Sequence, residues 1–248
     1  MTGGRVVVTG GASGIGRAVA IRLHRQGCAV HVMDRQAPVL TLPDDVVVHR
    51  VDVTDTTELV GTLSRIGSVQ AVAACAGVKE KAGTADTEED SWDRIHSVNL
   101  RSVFVLVRHV LPAMQRAGSG AIVTVGSPSG YGDPASSAYA AAKAGVVGFS
   151  KSVALEMAGT GVRINTVVPG FTRTGMTQGA DGQMVRSRGR TTASGTVNDP
   201  DDVAAVVAFL LSAEARNVSG AVVEVGRTHG EPALGWIPSE RAPQEEKR

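Results

Sequence analysis

The chain has 248 residues, of which 42% are hydrophobic but only 3% aromatic, with 30 glycines and a formal net charge of +1. That length suits one large α/β domain better than two ordinary ones, and an apolar content dominated by Val, Ala and Leu suits parallel strands buried on both faces. A near-zero charge without a basic stripe argues against nucleic acid as a partner, and the apolar runs are too short for a membrane span, so neither partner is expected.

Residues 5–9 (RVVVT) read as a strand, entered so early that no signal peptide is expected before it. A helix over 15–26 follows and stops at Gly27; residues 29–33 form the second strand, ending at Asp34. Residues 35–45 contain Pro38 and Pro43 and no helical pattern, so the crossover to a third strand at 46–51 has a short helix or none. Then come a helix at 56–66, a strand at 69–74, and a helix from about residue 91 to 117 broken near Val98. A fifth strand at 121–125, a helix at 137–158 and a sixth strand at 163–168 continue the alternation. Asp199-Pro200 reads as an N-cap and first-turn proline opening a helix to about residue 213, before a last strand at 221–225.

This order defines an α/β fold: a single Rossmann-type doubly wound parallel sheet of about seven strands, helices on both faces, ligands at the strands' carboxyl ends. The domain is expected to span 1–230, with 231–248 a polar C-terminal tail whose last residues have a disordered composition. Cys28 and Cys75 fall in apolar segments without metal-ligand spacing. They read as reduced core residues of a cytoplasmic protein, and no metal is expected.

In "VVVTGGASGIGRAVA" a strand runs into a helix through Gly10, Gly11, Gly14 and Gly16. Glycines permit a tight turn and let a pyrophosphate approach the helix N-terminus, where free N–H groups and the helix dipole favour anions. The spacing is G-x-x-x-G-x-G rather than the commoner G-x-G-x-x-G, so a plain tight turn stays open as an explanation. Asp34 narrows it. An acid about twenty residues beyond the loop can bind an adenosine ribose 2′-hydroxyl and would repel the extra phosphate of NADP. NAD is therefore favoured over NADP, with neighbouring Arg35 partly offsetting the repulsion and an ordinary strand-end carboxylate as the alternative. Asp52 and Val53 close the third strand, placed to bracket the adenine.

In "YAAAK", Tyr139 and Lys143 share one helix face, separated by three alanines. Ser127 follows the fifth strand, Asn99 sits at the break of the long helix, and "VVPGFTRTGM" leaves the sixth strand and supplies Thr174. With the glycine loop, these make the whole chain resemble the short-chain dehydrogenase/reductase family in its compact form. Thr9-Gly10-x-x-x-Gly14-x-Gly16, Asn99, Ser127, Tyr139-x-x-x-Lys143 and Pro169-Gly170 occur in the order of that family's motifs.

The resemblance implies a nicotinamide-dependent oxidoreductase acting between a secondary alcohol and a ketone. Its catalytic residues would be Asn99, Ser127, Tyr139 and Lys143. Its cofactor contacts would be Gly10, Ser13, Gly14, Ile15, Gly16, Asp34, Asp52, Val53, Ala76, Gly77, Tyr139, Lys143, Pro169 and Thr174. Tyr139 would be the general acid/base; its free pKa of about 10 is too high, and the Lys143 ammonium and the nicotinamide charge should lower it. Lys143 would also hold the nicotinamide ribose, Ser127 the substrate oxygen, and Asn99 a water that relays protons. Assembly into a homodimer or homotetramer is implied through the helices at 91–117 and 137–158, with Trp236 docking on a neighbouring subunit.

Three departures from the family pattern stand out. "AACAG" replaces the usual Asn-Asn-Ala-Gly, which puts strand-tethering hydrogen bonds in doubt; Ser127 lies one residue nearer the tyrosine than usual, implying a shortened loop at 130–133; and "VEVGRTHG" lacks the usual aspartate. The substrate loop is expected at 175–197, where Arg186, Arg188 and Arg190 read as solvated charge before anion ligands. "LEMAGTGVRINTVVPG" and the short stretch after Asp34 are similar to the 2,3-dihydro-2,3-dihydroxybenzoate dehydrogenases. A cyclic alcohol or dihydrodiol is accordingly the first expectation for the substrate. A 3-oxoacyl thioester is the second, and a catalytically silent dinucleotide-binding regulator is the reading from another class.

Overall fold

The computed structural model describes residues 3–38 and 41–226. Seven strands form one parallel sheet: β1 (Arg5–Thr9), β2 (Ala29–Asp34), β3 (Val47–Arg50), β4 (Ala71–Ala74), β5 (Gly120–Val125), β6 (Val162–Pro169) and β7 (Val222–Val225). Their spatial order is β3-β2-β1-β4-β5-β6-β7. The sequence reverses direction between β1 and β4, which opens a crevice at the carboxyl ends of those strands.

Strand side chains alternate between two cores, as a sheet covered on both faces requires. Val6, Val8, Val30, Val32, Ala71 and Ala73 pack beneath α1 (Gly14–Arg25) and α7 (Pro200–Leu211), meeting Val19, Leu23, Val207 and Leu211. Val7, Met33, Val72, Ile122 and Ile164 face the other way. They are covered by Leu59 and Leu63 of α2 (Thr56–Ile66), Leu106 and Val110 of α4 (Ser102–Ala117), and Val146 and Val153 of α5 (Ser137–Glu156). Each fully buried leucine or valine contributes about 1.5–3 kcal/mol relative to exposure.

Helix ends follow local chemistry. The Asp55 carboxylate accepts from the Glu58 N–H at 2.9 Å to start α2, and Gly118, at φ +63°, ends α4. Asp199 and Asp202 form a reciprocal capping box at α7, with Pro200 in its first turn. The long helix breaks into α3 (Glu89–His96) and α4 through a wide π turn at Ser97–Arg101, the segment that carries Asn99. Among the described residues no helix joins β2 to β3, and β3, at the edge of the sheet, has Val47 and Val48 exposed.

One element is absent from the sequence reading. α6 (Gly182–Gly189) lies inside the stretch read as a substrate loop and is capped by the Asp181 carboxylate on the Met184 N–H at 2.7 Å. It has glycine at both ends and few apolar residues, so no helical period marks it. The C-terminal tail, with Trp236, lies outside the described residues. None of the helices in the described residues is long and apolar enough to cross a membrane.

Candidate active site

The glycine turn between β1 and α1 is built for close approach. Gly10 takes φ +67°, and a Cβ there would stand 2.7 Å from the Ala76 Cα after β4. A Cβ on Gly16 would overlap the Gly10 carbonyl oxygen, and one on Gly14 (φ +51°) would come 3.3 Å from Thr174 Cγ2. Ser13 is the N-cap residue of α1, yet its side chain caps nothing, so the first-turn N–H groups of Gly14, Ile15 and Gly16 face the crevice unpaired by a side chain. An open helix N-terminus beside glycine-only backbone fits the pyrophosphate of a dinucleotide.

Around this turn the structure gathers Ala76, Gly77 and Thr174. Pro169 ends β6, in register with Val225 of β7. Asp34 ends β2 with both carboxylate oxygens partly engaged: Oδ2 accepts from the Ala12 N–H at 3.0 Å and Oδ1 from the Gln36 N–H at 3.1 Å. It therefore braces the glycine turn while keeping lone pairs for a ribose. Asp52, next to Val53, accepts from the Thr54 N–H and hydroxyl at 2.9 and 2.7 Å. These bonds, helped by the Arg35 charge and opposed by burial, hold Asp52 below the usual carboxylate range.

The four polar residues expected from the sequence come together at the carboxyl edge of β4 and β5. Asn99 is fully buried in the π turn, where Nδ2 donates to the Val78 and Ile95 carbonyls at 2.9 Å each and Oδ1 accepts from the Val78 N–H at 3.2 Å. Both donors are spent, and Oδ1 keeps one lone pair. Gly77 has to be glycine here, because a Cβ would lie 2.9 Å from Asn99 Oδ1 and 3.7 Å from Lys143 Nζ. Lys143, 4% exposed on α5, donates from Nζ to the Val125 carbonyl at 2.7 Å. Burial brings it down to about 8, with the nearby Cys75 opposing, while burial pushes the Cys75 thiol up to about 12. Cys75 is a neutral thiol at neutral pH, so its opposition to the Lys143 shift is weak.

Tyr139 lies one turn before Lys143, 7% exposed, with two ammonium groups near its ring: Lys143 Nζ at 5.7 Å and Lys79 Nζ at 5.1 Å from the centroid. Its hydroxyl lies beside Ser127, whose Oγ accepts from the Ser129 N–H at 3.2 Å. The Tyr139 pKa differs from the sequence expectation. Burial pushes it above the ordinary value, the Ser127 side chain lowers it, and the Asp133 charge raises it again. Lys143 does not reverse this, because burial brings its own pKa down to about 8 and it loses its charge before the raised phenol titrates.

The tether left in doubt by the missing asparagines is made another way. Thr9 Oγ1 accepts from the Ala76 N–H at 3.3 Å, and the Thr9 carbonyl from the Cys75 N–H at 3.2 Å. Arg186 and Arg188 lie on α6, with Arg190 just after it. Sequence reasoning missed a further trio at this site. Lys79 Nζ meets Asp133 Oδ2 at 2.7 Å and Ser129 Oγ at 3.4 Å, and Ser129 Oγ donates to Asp133 Oδ2 at 2.8 Å. The only signal was a pair of lysines following Gly77, with nothing to pair them to a loop fifty residues on.

Residues 5–184 match the short chain dehydrogenase family model, and the chain belongs to that family. It is an oxidoreductase of the short-chain dehydrogenase/reductase type. It is 33% identical over 237 residues to the 3-oxoacyl-(acyl-carrier-protein) reductase of Thermotoga maritima, covering 88% of this chain and 94% of that protein. It is 36% identical over 236 residues to cis-4-hydroxycyclohexanecarboxylate dehydrogenase of Sinomonas cyclohexanicum, covering 88% and 93%. The fold is similar to a crystal structure assigned as a 2-deoxy-D-gluconate 3-dehydrogenase from Agrobacterium tumefaciens with bound NADP. That match has a TM-score of 0.85 at 28% identity and covers 91% of this chain and 96% of the other.

Proposed function

We propose that the protein transfers a hydride between a nicotinamide cofactor, NAD by preference, and a secondary alcohol or ketone, with a cyclic alcohol as the favoured substrate. The observation that carries this reading is the meeting of Tyr139, Ser127 and Lys143 at one point beside a glycine turn shaped for a dinucleotide. A protein that only bound a dinucleotide would have no need of all three together.

When bound, the nicotinamide supplies the carbon that takes or gives the hydride. Tyr139 holds and moves the proton at the substrate oxygen, and Ser127 fixes that oxygen by hydrogen bond. Lys143 remains largely an ammonium at neutral pH, spends one N–H on Val125, and has two left for ribose hydroxyls. Asn99, with its one free lone pair, holds a water through which Lys143 exchanges protons with solvent. Because burial raises Tyr139 in the free protein, the fall in its pKa depends on the positive charge of the bound oxidised cofactor. Asp34 supports NAD, since a 2′-phosphate beside this carboxylate is repelled, although the similar structure above holds NADP.

A second reading, reduction of a 3-oxoacyl thioester, is favoured by the likeness to the Thermotoga maritima reductase. We read the assembly as a homodimer or homotetramer, supported by Phe104 of α4 exposed edge-on to Phe149 of α5 and by Leu155 at 80% exposure. The experiment for the reaction is turnover of cyclic and acyl alcohols and ketones with NAD and NADP, followed at the nicotinamide absorbance. Tight dinucleotide binding with no turnover of any of them refutes catalysis and leaves the silent regulator.

A further inference from the structure

We infer that Lys79 and Asp133 form a subsite for a hydroxyl on the carbon next to the one oxidised, so that the substrate is a vicinal diol or its hydroxy ketone. The inference rests on the oxidoreductase reading above and goes beyond it to the shape of the substrate.

The pair lies beside Tyr139 and is linked to Ser127 through Ser129. Lys79 Nζ stands over the Tyr139 ring at 5.1 Å, and the Asp133 charge acts directly on the Tyr139 phenol. Ser129, which Lys79 and Asp133 share, donates its backbone N–H to Ser127 Oγ at 3.2 Å. These links place a group bound by the pair beside the oxygen that Tyr139 and Ser127 hold.

The unspent hydrogen-bonding capacity defines that group. Lys79 has three N–H donors and uses two, on Asp133 and Ser129, leaving one. Asp133 takes both of its hydrogen bonds on Oδ2, and Oδ1 takes none among the described residues. One free donor beside one free acceptor matches a hydroxyl, which accepts once and donates once. A substrate carboxylate or phosphate would meet Lys79 only by facing the Asp133 carboxylate. Burial favours the neutral acid at Asp133, but the Lys79 and Ser129 bonds and the charges of Lys79 and Lys81 outweigh it and keep Asp133 ionised.

The pair is also held rigidly. The two side chains are only 23% and 26% exposed, and their loops are tied where the Ala82 N–H donates to the Ala135 carbonyl at 3.0 Å. Ala135 sits at φ +53°, a left-handed conformation that strains a residue with a Cβ and persists only where the surroundings impose it.

The test compares kcat/KM for cyclohexane-1,2-diol with cyclohexanol, and butane-2,3-diol with butan-2-ol, in the full chain and in Lys79→Met and Asp133→Asn. The full chain should favour each diol about tenfold or more, the scale of one charge-assisted hydrogen bond. Each variant should lose most of that ratio, while fluorescence titration shows reduced cofactor bound as in the full chain. Turnover without a diol preference, a preference that survives both substitutions, or equal losses on diol and simple alcohol overturns the inference and leaves the oxidoreductase reading intact. So does better turnover of 2-hydroxycyclohexanecarboxylate than of the diol, which makes the subsite one for an anion. Failure to oxidise any of these alcohols with either cofactor overturns the inference, and the oxidoreductase reading falls with it only if the wider panel of acyl alcohols and ketones also fails to turn over.

Discussion

Removing the Tyr139 hydroxyl separates chemistry from folding, because the ring and the oxygen have different jobs. The ring packs with Ile95, Ala138 and Ala142 in a small buried cluster, and Tyr139→Phe keeps that contact. The substitution removes the hydroxyl's polar interaction with Ser127, whose oxygen still accepts from the Ser129 N–H. The expected cost to stability is about 1 kcal/mol, or a Tm fall of about 2–4 °C for a chain of this size. The cost to catalysis is far larger. A positioned acid/base contributes about a hundredfold to ten-thousandfold, equivalent to about 3–5 kcal/mol on the barrier. Steady-state oxidation of a secondary alcohol should therefore show kcat down by about a hundredfold or more. Thermal melts should shift by no more than those few degrees, and NAD titrations should barely move. In the unsubstituted protein the rate should rise with pH, through an apparent pKa that bound oxidised cofactor brings below the free phenol's value of about 10. Lys143→Ala should differ, lowering NAD affinity and kcat together. A Phe variant with near-normal turnover refutes the role of Tyr139; Tyr131, exposed and the only other tyrosine in the chain, would then be examined.

NAD should bind at least about tenfold more tightly than NADP, about 1.4 kcal/mol, and equal or tighter NADP binding in a titration would remove Asp34 from cofactor selection. Asn99→Ala removes the acceptor of the Val78 N–H and a side-chain donor to the Val78 and Ile95 carbonyls, so melts should show a loss of about 2–4 kcal/mol; a loss below 1 kcal/mol would mean the π turn holds without that side chain. His31 and His49 stack in β2 and β3 with their ring nitrogens 3.0 Å apart, and both pKa values are lowered from 6.5, by burial first and then by neighbouring positive charge. The unfolded chain therefore takes up protons more readily, so stability is complete above about pH 6.5 and falls as pH drops below it, and His49→Gln should flatten that slope in melts between pH 8 and 5. Light scattering at micromolar concentration should give a dimer or tetramer, and a monomer contradicts the proposed assembly.

Local pattern carried most of the fold. Alternating valines such as Val6, Val7 and Val8 can be satisfied only by a sheet covered on both faces, and the Asp199-Pro200 start of α7 is a purely local signal. The glycine turn was legible as well, because backbone that must pass within van der Waals reach of Ala76 or Gly10 tolerates no side chain. The spacing of Tyr139 and Lys143 on one helix face follows from the helical repeat alone. What the sequence could not carry was whatever depends on groups distant in the chain meeting in space. Lys79 and Asp133 are separated by 54 positions, and neither loop has a period that would announce the pairing. The rise in the Tyr139 pKa likewise comes from burial and from Asp133, so the effect of Lys143 inferred from spacing was outweighed by surroundings that only the packed structure supplies. Helix α6 escaped notice because a short polar segment between glycines is set by its cap and its neighbours, not by an apolar stripe. Sequence thus determined the framework and the positions of the reacting groups, because those obey short-range periodicity. Tertiary structure alone decided their charge states and the subsite beside them, because desolvation and ion pairing are properties of the packed whole.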